Sequence, residues 1–237
     1  MPAAPTRRLR WFFVVVACLL MVVIAVAFAP SFYLRGLIRS HVIEAGLTPY
    51  IVAHGIVLTS WFLLFLVQAW MVATNRTQLH RTLGIAGAVL AAAVLVLSAI
   101  VVLHTPARDV AIGASVGQIA LEVVGDLGLL VLFAGLVTAA ILNRHRPDVH
   151  KRLMMLACVG LIAPALARWP GAAAYMPLSA MVPQLAFVGA LMTYDVVTRR
   201  RVHPATAWGF ASYLVVLGAS FGLAFSAVGH RFVQSLV

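Results

Sequence analysis

Two polar phrases in this chain each place a histidine directly before an apolar run. The first is NRTQLHRTLG, residues 75–84, and the second is NRHRPDVHKRLMML, residues 143–156. Both open with Asn-Arg, and both contain His followed by Arg or Lys, so His80 and His150 occupy equivalent places. Two neutral imidazoles that face each other across a helix bundle can bind a b-type haem or a metal ion. The repeated phrase therefore predicts a haem b with His80 and His150 as its ligands.

The basic residues of these phrases have two interpretations. Histidine, arginine and lysine at the start of a membrane span, His80 and His150 included, can simply obey the positive-inside rule, and long side chains there reach for the interface without any ligand. If a haem is bound, Arg81, Lys151 and Arg152 are instead placed to meet its propionates or an anionic reductant. We expect Arg81 and Arg152 to belong to the cofactor site, and the structural interpretation stays open beside it.

A second group of candidates lies near the other ends of the apolar runs. Glu122 and Asp126 are four residues apart and share one face of a helix. An intramembrane carboxylate costs about 2.5–3.5 kcal/mol on insertion scales, so it usually faces the bundle interior and has a partner. The remaining intramembrane acid, Asp195, lies four residues before Arg199, and we expect these two side chains to pair.

Candidate partners for Glu122 and Asp126 come from neighbouring runs at a similar depth. His54, His104 and Arg168 are the main ones, and Gln184 is a further one. One interpretation is a structural ion pair with Arg168. The others are a proton relay, a ligand pocket, or a divalent metal site at this end of the bundle. The residues of that metal site would be His54, His104, Glu122 and Asp126.

The composition of the chain indicates a membrane protein. Of its 237 residues, 63% are hydrophobic and 10% are charged, whereas a soluble domain carries about 25% charged residues. The net charge of +11 does not indicate nucleic acid binding, because the basic residues lie in short loops between apolar runs. The lipid bilayer is therefore the expected partner, and the arginine-rich, alanine-rich composition favours a bacterial inner (plasma) membrane.

Seven apolar runs are long enough to cross about 30 Å of hydrocarbon as helices. We predict an all-α polytopic bundle that forms one domain over residues 1–237, with a hairpin repeat at 50–104 and 119–168. The runs are Trp11–Ala29, Tyr50–Ala73, Leu83–His104, Ile119–Leu142, Arg152–Arg168, Leu178–Val197 and Ala205–Val228.

Loop charge predicts the orientation of the bundle. About twelve basic residues lie on the side that carries the amino terminus and both polar phrases, against about five on the other side. By the positive-inside rule, the amino terminus is cytoplasmic and the carboxyl terminus is outside.

The central spans resemble the core of transmembrane di-haem cytochromes b of the ascorbate and ferric reductase type. In that family one haem is held by histidines on spans two and four, and the other by histidines on spans three and five. Here LHRTLG and VHKRLM supply His80 and His150 for the second pair, and span two supplies His54. Span four departs from the family, because it has Glu122 and Asp126 in place of a histidine. The chain also resembles bacterial multi-pass proteins with a His-Lys-Arg-Leu-Met phrase, some of which are linked to haem–copper oxidase assembly.

These patterns leave three functions open. The first is electron transfer, or haem or copper delivery to an oxidase, with a respiratory or redox partner protein. The second is a zinc-dependent membrane hydrolase, because the topology resembles that of the progestin-receptor and ceramidase-like group, although the last span lacks that group's HxxxH pair. The third is a proton- or cation-coupled transporter or a scaffold. Whether the chain is an enzyme, and its oligomeric state, are left open.

Overall fold

The computed structural model describes residues 11–39 and 46–237, so the basic residues at positions 7, 8 and 10 lie outside the described part. Ten α-helices are present in the two described ranges, and no β-strand is. A π-helical turn, Ala29–Tyr33, extends α1, and a 3₁₀ turn, Ala172–Tyr175, precedes α8. The helices are α1 Phe12–Phe28, α2 Pro49–Ala73, α3 Thr77–His104, α4 Pro106–Ala111, α5 Val116–Leu142, α6 Pro147–Gly160, α7 Ala163–Ala167, α8 Leu178–Arg199, α9 Pro204–Ala224 and α10 Ala227–Gln234.

Seven segments of the described chain are long and apolar enough to cross a membrane. They are α1 with its π turn, α2, α3 with α4, α5, α6 with α7, α8, and α9. The prediction of an all-α bundle with about seven spans is thus confirmed. Helices α3, α5 and α6 begin three to six residues earlier than the predicted runs, because each helix begins inside the polar segment that precedes its apolar run.

Local sequence explains where several helices begin and turn. Proline occupies the first position of α2, α6 and α9, where its missing N–H has no intrahelical partner to lose. Ser115 caps α5 through a capping box with Gln118. At the turns after α2 and α8, Asn75 and Arg200 adopt left-handed backbone conformations with φ of 62° and 61°.

Helix α5 lies at the centre of the bundle. It packs against α3, α6, α9 and α10, while α2 packs against α3 and α1. The hairpins α2–α3 and α5–α6 therefore meet through α3 and α5. The Trp61 ring of α2 also packs edge to face against the Phe133 ring of α5, with centroids 5.2 Å apart. Helix α6 is the most enclosed, and Met155, Ala157 and Cys158 are fully buried.

The fifth span is broken between α6 and α7. Pro164 has no N–H to bond to the carbonyl of Gly160, so the helical ladder is interrupted there. The buried side chain of Gln184 donates to the carbonyl oxygens of Val159 and Gly160 at 2.9 and 3.2 Å, and the Tyr213 hydroxyl donates to Gln184 Oε1 at 2.7 Å. Gln184 thus lies at the helix break and satisfies the backbone there.

Two ends of the bundle are distinguished below. The basic end is formed by the turns between α2 and α3, α5 and α6, and α8 and α9, and it carries both polar phrases. The opposite end carries the α3–α5 connection, α7 and α10. The cytoplasmic location of the basic end stays a prediction from loop charge.

Candidate functional site

The two histidines of the repeated phrase meet at the basic end. His80 lies in the first turns of α3, His150 lies in the first turn of α6, and both are half-buried. The centroids of their rings are 6.2 Å apart, and the ring planes are nearly perpendicular at 82°. The equivalent positions in the two hairpins have therefore brought the two imidazoles together.

The backbone of α5 fixes the orientation of His150. Its Nδ1 lies 2.8 Å from the carbonyl oxygen of Ala140, in the last turn of α5. A carbonyl oxygen can only accept, so Nδ1 carries a proton and Nε2 keeps its lone pair. A ligating histidine in a metal site commonly has this arrangement, with the second nitrogen bonded to a carbonyl.

The two arginines assigned to the cofactor site have different surroundings. Arg81 is exposed next to His80. Arg152 is only 2% exposed, and its Nε and Nη2 both donate to Asp195 Oδ1. Its Nη1 donates to the carbonyl oxygen of Asp148 at 2.6 Å. The expectation that Arg152 meets haem propionates is therefore corrected, because every nitrogen of its guanidinium group already has a partner inside the protein.

Asp195 is the centre of a buried polar network that the sequence did not predict. Its side chain is 0% exposed. While Oδ1 accepts from Arg152, Oδ2 accepts from the backbone N–H of His203 at 3.0 Å and from the Thr206 hydroxyl at 2.5 Å. The predicted pairing of Asp195 with Arg199 is wrong, because Arg199 turns outwards and lies 3.7 Å from Asp148. The network ties α6, α8 and the start of α9 together.

His203 connects this network to the start of α9. It is 5% exposed, and its Nδ1 accepts from the backbone N–H of Ala205 at 3.0 Å. Its Nε2 lies 3.0 Å from Asp148 Oδ2, so in the neutral ring Nε2 carries the proton and donates. Burial lowers the pKa of His203 below its ordinary value, and the hydrogen bond to Asp148 opposes this in part. A proton on Nδ1 would also displace the bond to Ala205.

Near the opposite end, Arg168 is the common neighbour of the predicted acidic group. It lies within electrostatic range of His54, Glu122 and Asp126. Its Nη1 donates to the carbonyl oxygen of Pro164 at 2.9 Å. Asp126 is half-buried and Glu122 is exposed.

The four residues predicted to bind a divalent metal do not come together as ligands. His54 lies 3.4 Å from the Ser98 hydroxyl, and Nδ1 of His104 lies 2.9 Å from the carbonyl oxygen of Ile100 in its own helix. Within residues 11–39 and 46–237, no group of three or more His, Cys, Asp or Glu side chains could hold a metal ion. Gln184, the further candidate, lies at the α6–α7 break. The divalent metal at this end stays a prediction.

One contributor to the basic end was not identified from the sequence. Gln68, near the end of α2, places its amide against the ring and backbone of His80. The only feature of the sequence that could have indicated Gln68 is that it is a single polar residue near the end of an apolar run.

The fold and these contacts define a multi-pass α-helical membrane protein with a histidine pair at its basic end. No protein-family model matches the chain, and neither a curated protein nor a solved structure does. The resemblance to di-haem cytochromes b therefore rests on the sequence phrases alone.

Proposed function

We propose that this chain is a membrane electron-transfer protein that binds one b-type haem between His80 and His150. The observation that supports this most is the ring pair itself, with centroids 6.2 Å apart. Two imidazole rings this close could hold one metal ion together, because each supplies a neutral nitrogen ligand. The donor set of two imidazoles also fits haem iron. When bound, the haem would supply reversible one-electron chemistry.

The surroundings of the pair support ligation by His150 in particular. Its Nδ1–H donates to Ala140, so the ring is already oriented and its Nε2 lone pair is available. With Arg152 paired to Asp195, exposed basic residues such as Arg81, Arg144 and Arg146 are available to an anionic group. Their positive charge would raise the reduction potential by favouring the less positive iron state.

The same surface suggests the kind of partner. Electron transfer needs a donor and an acceptor, and an exposed basic surface favours an anionic reductant or an acidic face of a redox protein. Delivery of haem or copper to an oxidase is a variant of this proposal that uses the same residues, and a bacterial inner membrane is the expected location.

The absorption spectrum of the detergent-solubilised protein tests the proposal. We expect a Soret band that shifts on reduction with dithionite, and loss of that spectrum in His80→Ala and in His150→Ala with expression retained. His145→Ala is the matched control, because His145 is exposed in the α5–α6 turn; it should keep the spectrum. A wild-type spectrum in both ligand variants, or a colourless protein after expression with added haem precursor, overturns the proposal.

The group around Arg168 supports a second candidate, binding of a proton or cation in a transporter. An arginine whose charge acts on two carboxylates and a histidine near the opposite end is typical of a polar pathway in a membrane protein. If this is the function, Asp126→Asn abolishes pH-dependent ligand binding and the protein stays colourless. A catalytic zinc site of the hydrolase type needs three protein ligands, and the described residues bring no such group together.

A further inference from the structure

Lys151 is the only lysine in the chain, and its ammonium group lies between α6, α1 and α8 near the basic end. Its Nζ donates to the hydroxyl of Tyr194 on α8 at 3.2 Å, and it lies 5.0 Å from the centroid of the Phe13 ring on α1. An aromatic ring attracts a cation that lies over its face. Contacts with two neighbouring helices therefore hold the ammonium group in one place.

Tyr194 is itself held by the aromatic side chains of α1. Its ring is stacked on Phe12 with centroids 4.5 Å apart, and Phe13 meets it edge to face at 5.3 Å. Only 8% of Tyr194 is exposed. Packing thus fixes the positions of the hydroxyl and the ammonium group, and we call Phe12, Phe13, Lys151 and Tyr194 the lysine site.

The charge of the lysine site has no counter-ion in the described part of the chain. The carboxylates on α6 and α8, Asp148 and Asp195, have other cationic partners. An ammonium group has three N–H donors and no acceptor, and the Tyr194 hydroxyl accepts from one of them. The remaining N–H donors and the O–H of Tyr194 can therefore donate to an oxygen anion.

The surroundings of the lysine site indicate a lipid as the source of that anion. Phe12 is the first residue of α1, and Tyr194 lies in the last two turns of α8, so the site lies at the depth of the lipid head groups. Val15 and Leu19, on the face of α1 that carries Phe12, are 55% and 49% exposed. Ala190, one turn before Tyr194 on α8, is exposed as well. A phosphate that carries acyl chains can contact both the donors and these apolar surfaces, whereas free phosphate can contact only the donors.

We propose that the lysine site binds the phosphate of one anionic phospholipid in the leaflet at the basic end. The phosphate oxygens accept from Lys151 Nζ and from the Tyr194 hydroxyl, and the acyl chains lie against α1 and α8. Basic pockets between membrane helices on the cytoplasmic side hold head groups of this kind. The proposal does not depend on haem binding at the histidine pair, so either one can fail without the other.

Native mass spectrometry of the full-length protein in detergent tests the lipid site. The protein is titrated with dioleoyl phosphatidylglycerol, which is anionic, or with dioleoyl phosphatidylcholine, which has the same acyl chains and no net charge. We expect the wild type to bind one phosphatidylglycerol about tenfold more tightly than phosphatidylcholine, roughly the value of one hydrogen bond to a charged group. Excess inorganic phosphate should not displace the bound lipid.

Four variants assign the preference to the lysine site. Lys151→Met removes the charge and keeps a long side chain, so the preference for phosphatidylglycerol should be lost, whereas Lys151→Arg should keep most of it. Tyr194→Phe keeps the stacked ring and should weaken phosphatidylglycerol binding about threefold, because one hydrogen bond is lost. Arg201→Met is the matched control, because Arg201 is an exposed basic residue in the α8–α9 turn, and it should bind as the wild type does.

Equal affinities of the wild type for the two lipids would overturn the proposal. Equal losses in Lys151→Met and Arg201→Met would overturn it as well, because they indicate a general attraction of anionic lipid to the basic end. Displacement by inorganic phosphate would show that the site takes a free anion instead of a lipid. Melting temperatures in lipid-free detergent identify any variant that does not fold, and if Lys151→Met is one of these, an unchanged affinity in Tyr194→Phe overturns the site.

Discussion

At the scale of single residues, the basic end contains a buried ion pair between Arg152 and Asp195. Neither side chain is more than 2% exposed, and Asp195 accepts four hydrogen bonds. Taking two charges out of water is costly and is compensated only when the geometry is good and the remaining atoms are bonded. Both conditions are met here, so the stability of the basic end depends on keeping the pair complete.

Removal of one partner of the ion pair should therefore strongly destabilise the protein. We expect Asp195→Asn to lower the free energy of unfolding by about 3–5 kcal/mol, because Arg152 keeps its charge in a buried site without a counter-ion. Thermal unfolding in detergent measures this. Arg199→Ala is the control, since its contact with Asp148 at 3.7 Å is exposed and such pairs are worth about 0–1 kcal/mol. Equal losses in the two variants would refute the special role of the buried pair.

His203 makes stability depend on pH. Its pKa in the folded protein lies below its ordinary value, which is about 6.5 in an unfolded chain. As the pH falls through about 6.5, the unfolded chain takes up the proton first, so stability decreases until the folded pKa is reached. We expect the melting temperature to fall between about pH 7.5 and 5.5.

The contribution of His203 is isolated by His203→Asn. Asparagine keeps an oxygen that can cap α9 but does not titrate. The melting temperature of this variant should depend less on pH than that of the wild type. Parallel pH profiles for the two proteins would show that other groups account for the dependence.

At the scale of elements, the broken fifth span depends on a side chain from α8. Pro164 interrupts the helix, and Gln184 satisfies the carbonyl groups that the break leaves. In a membrane there is no water to replace such a partner, so irregular backbone is tolerated only where the protein supplies one.

Gln184→Leu should destabilise the protein by about 1–3 kcal/mol for a buried group left unsatisfied. Tyr213→Phe, which removes only the hydrogen bond to Gln184 Oε1, should cost less, about 1 kcal/mol. Thermal unfolding of the two single variants in detergent measures which of them loses more stability. A larger loss for Tyr213→Phe would contradict the assignment of Gln184 as the main partner of the break.

At the scale of the whole molecule, loop charge predicts one orientation in the membrane. With the basic end cytoplasmic, seven spans place the carboxyl terminus outside. We expect an alkaline phosphatase fused after Val237 to be active and one fused in the α5–α6 turn to be inactive, with a fluorescent protein giving the reverse pattern. The opposite pattern would place the histidine pair at the outer face.

The sequence determined the class of this protein and the number of its spans. Long apolar runs must form helices in lipid, and the loops between them carry the basic residues. It also predicted that His80 and His150 approach each other, because equivalent positions in two hairpins lie at the same end of a bundle.

Only the tertiary structure decided which polar groups are partners. Sequence spacing favoured the pairing of Asp195 with Arg199 on one helix, whereas the side chain of Asp195 is directed between helices at Arg152, 43 positions away in the chain. Gln68 and Gln184 act on backbone groups of neighbouring helices in the same way. The hydropathy of an apolar run indicates how deep each residue lies in the membrane. It says little about how far each helix is rotated about its own axis, and that rotation determines which side chains meet.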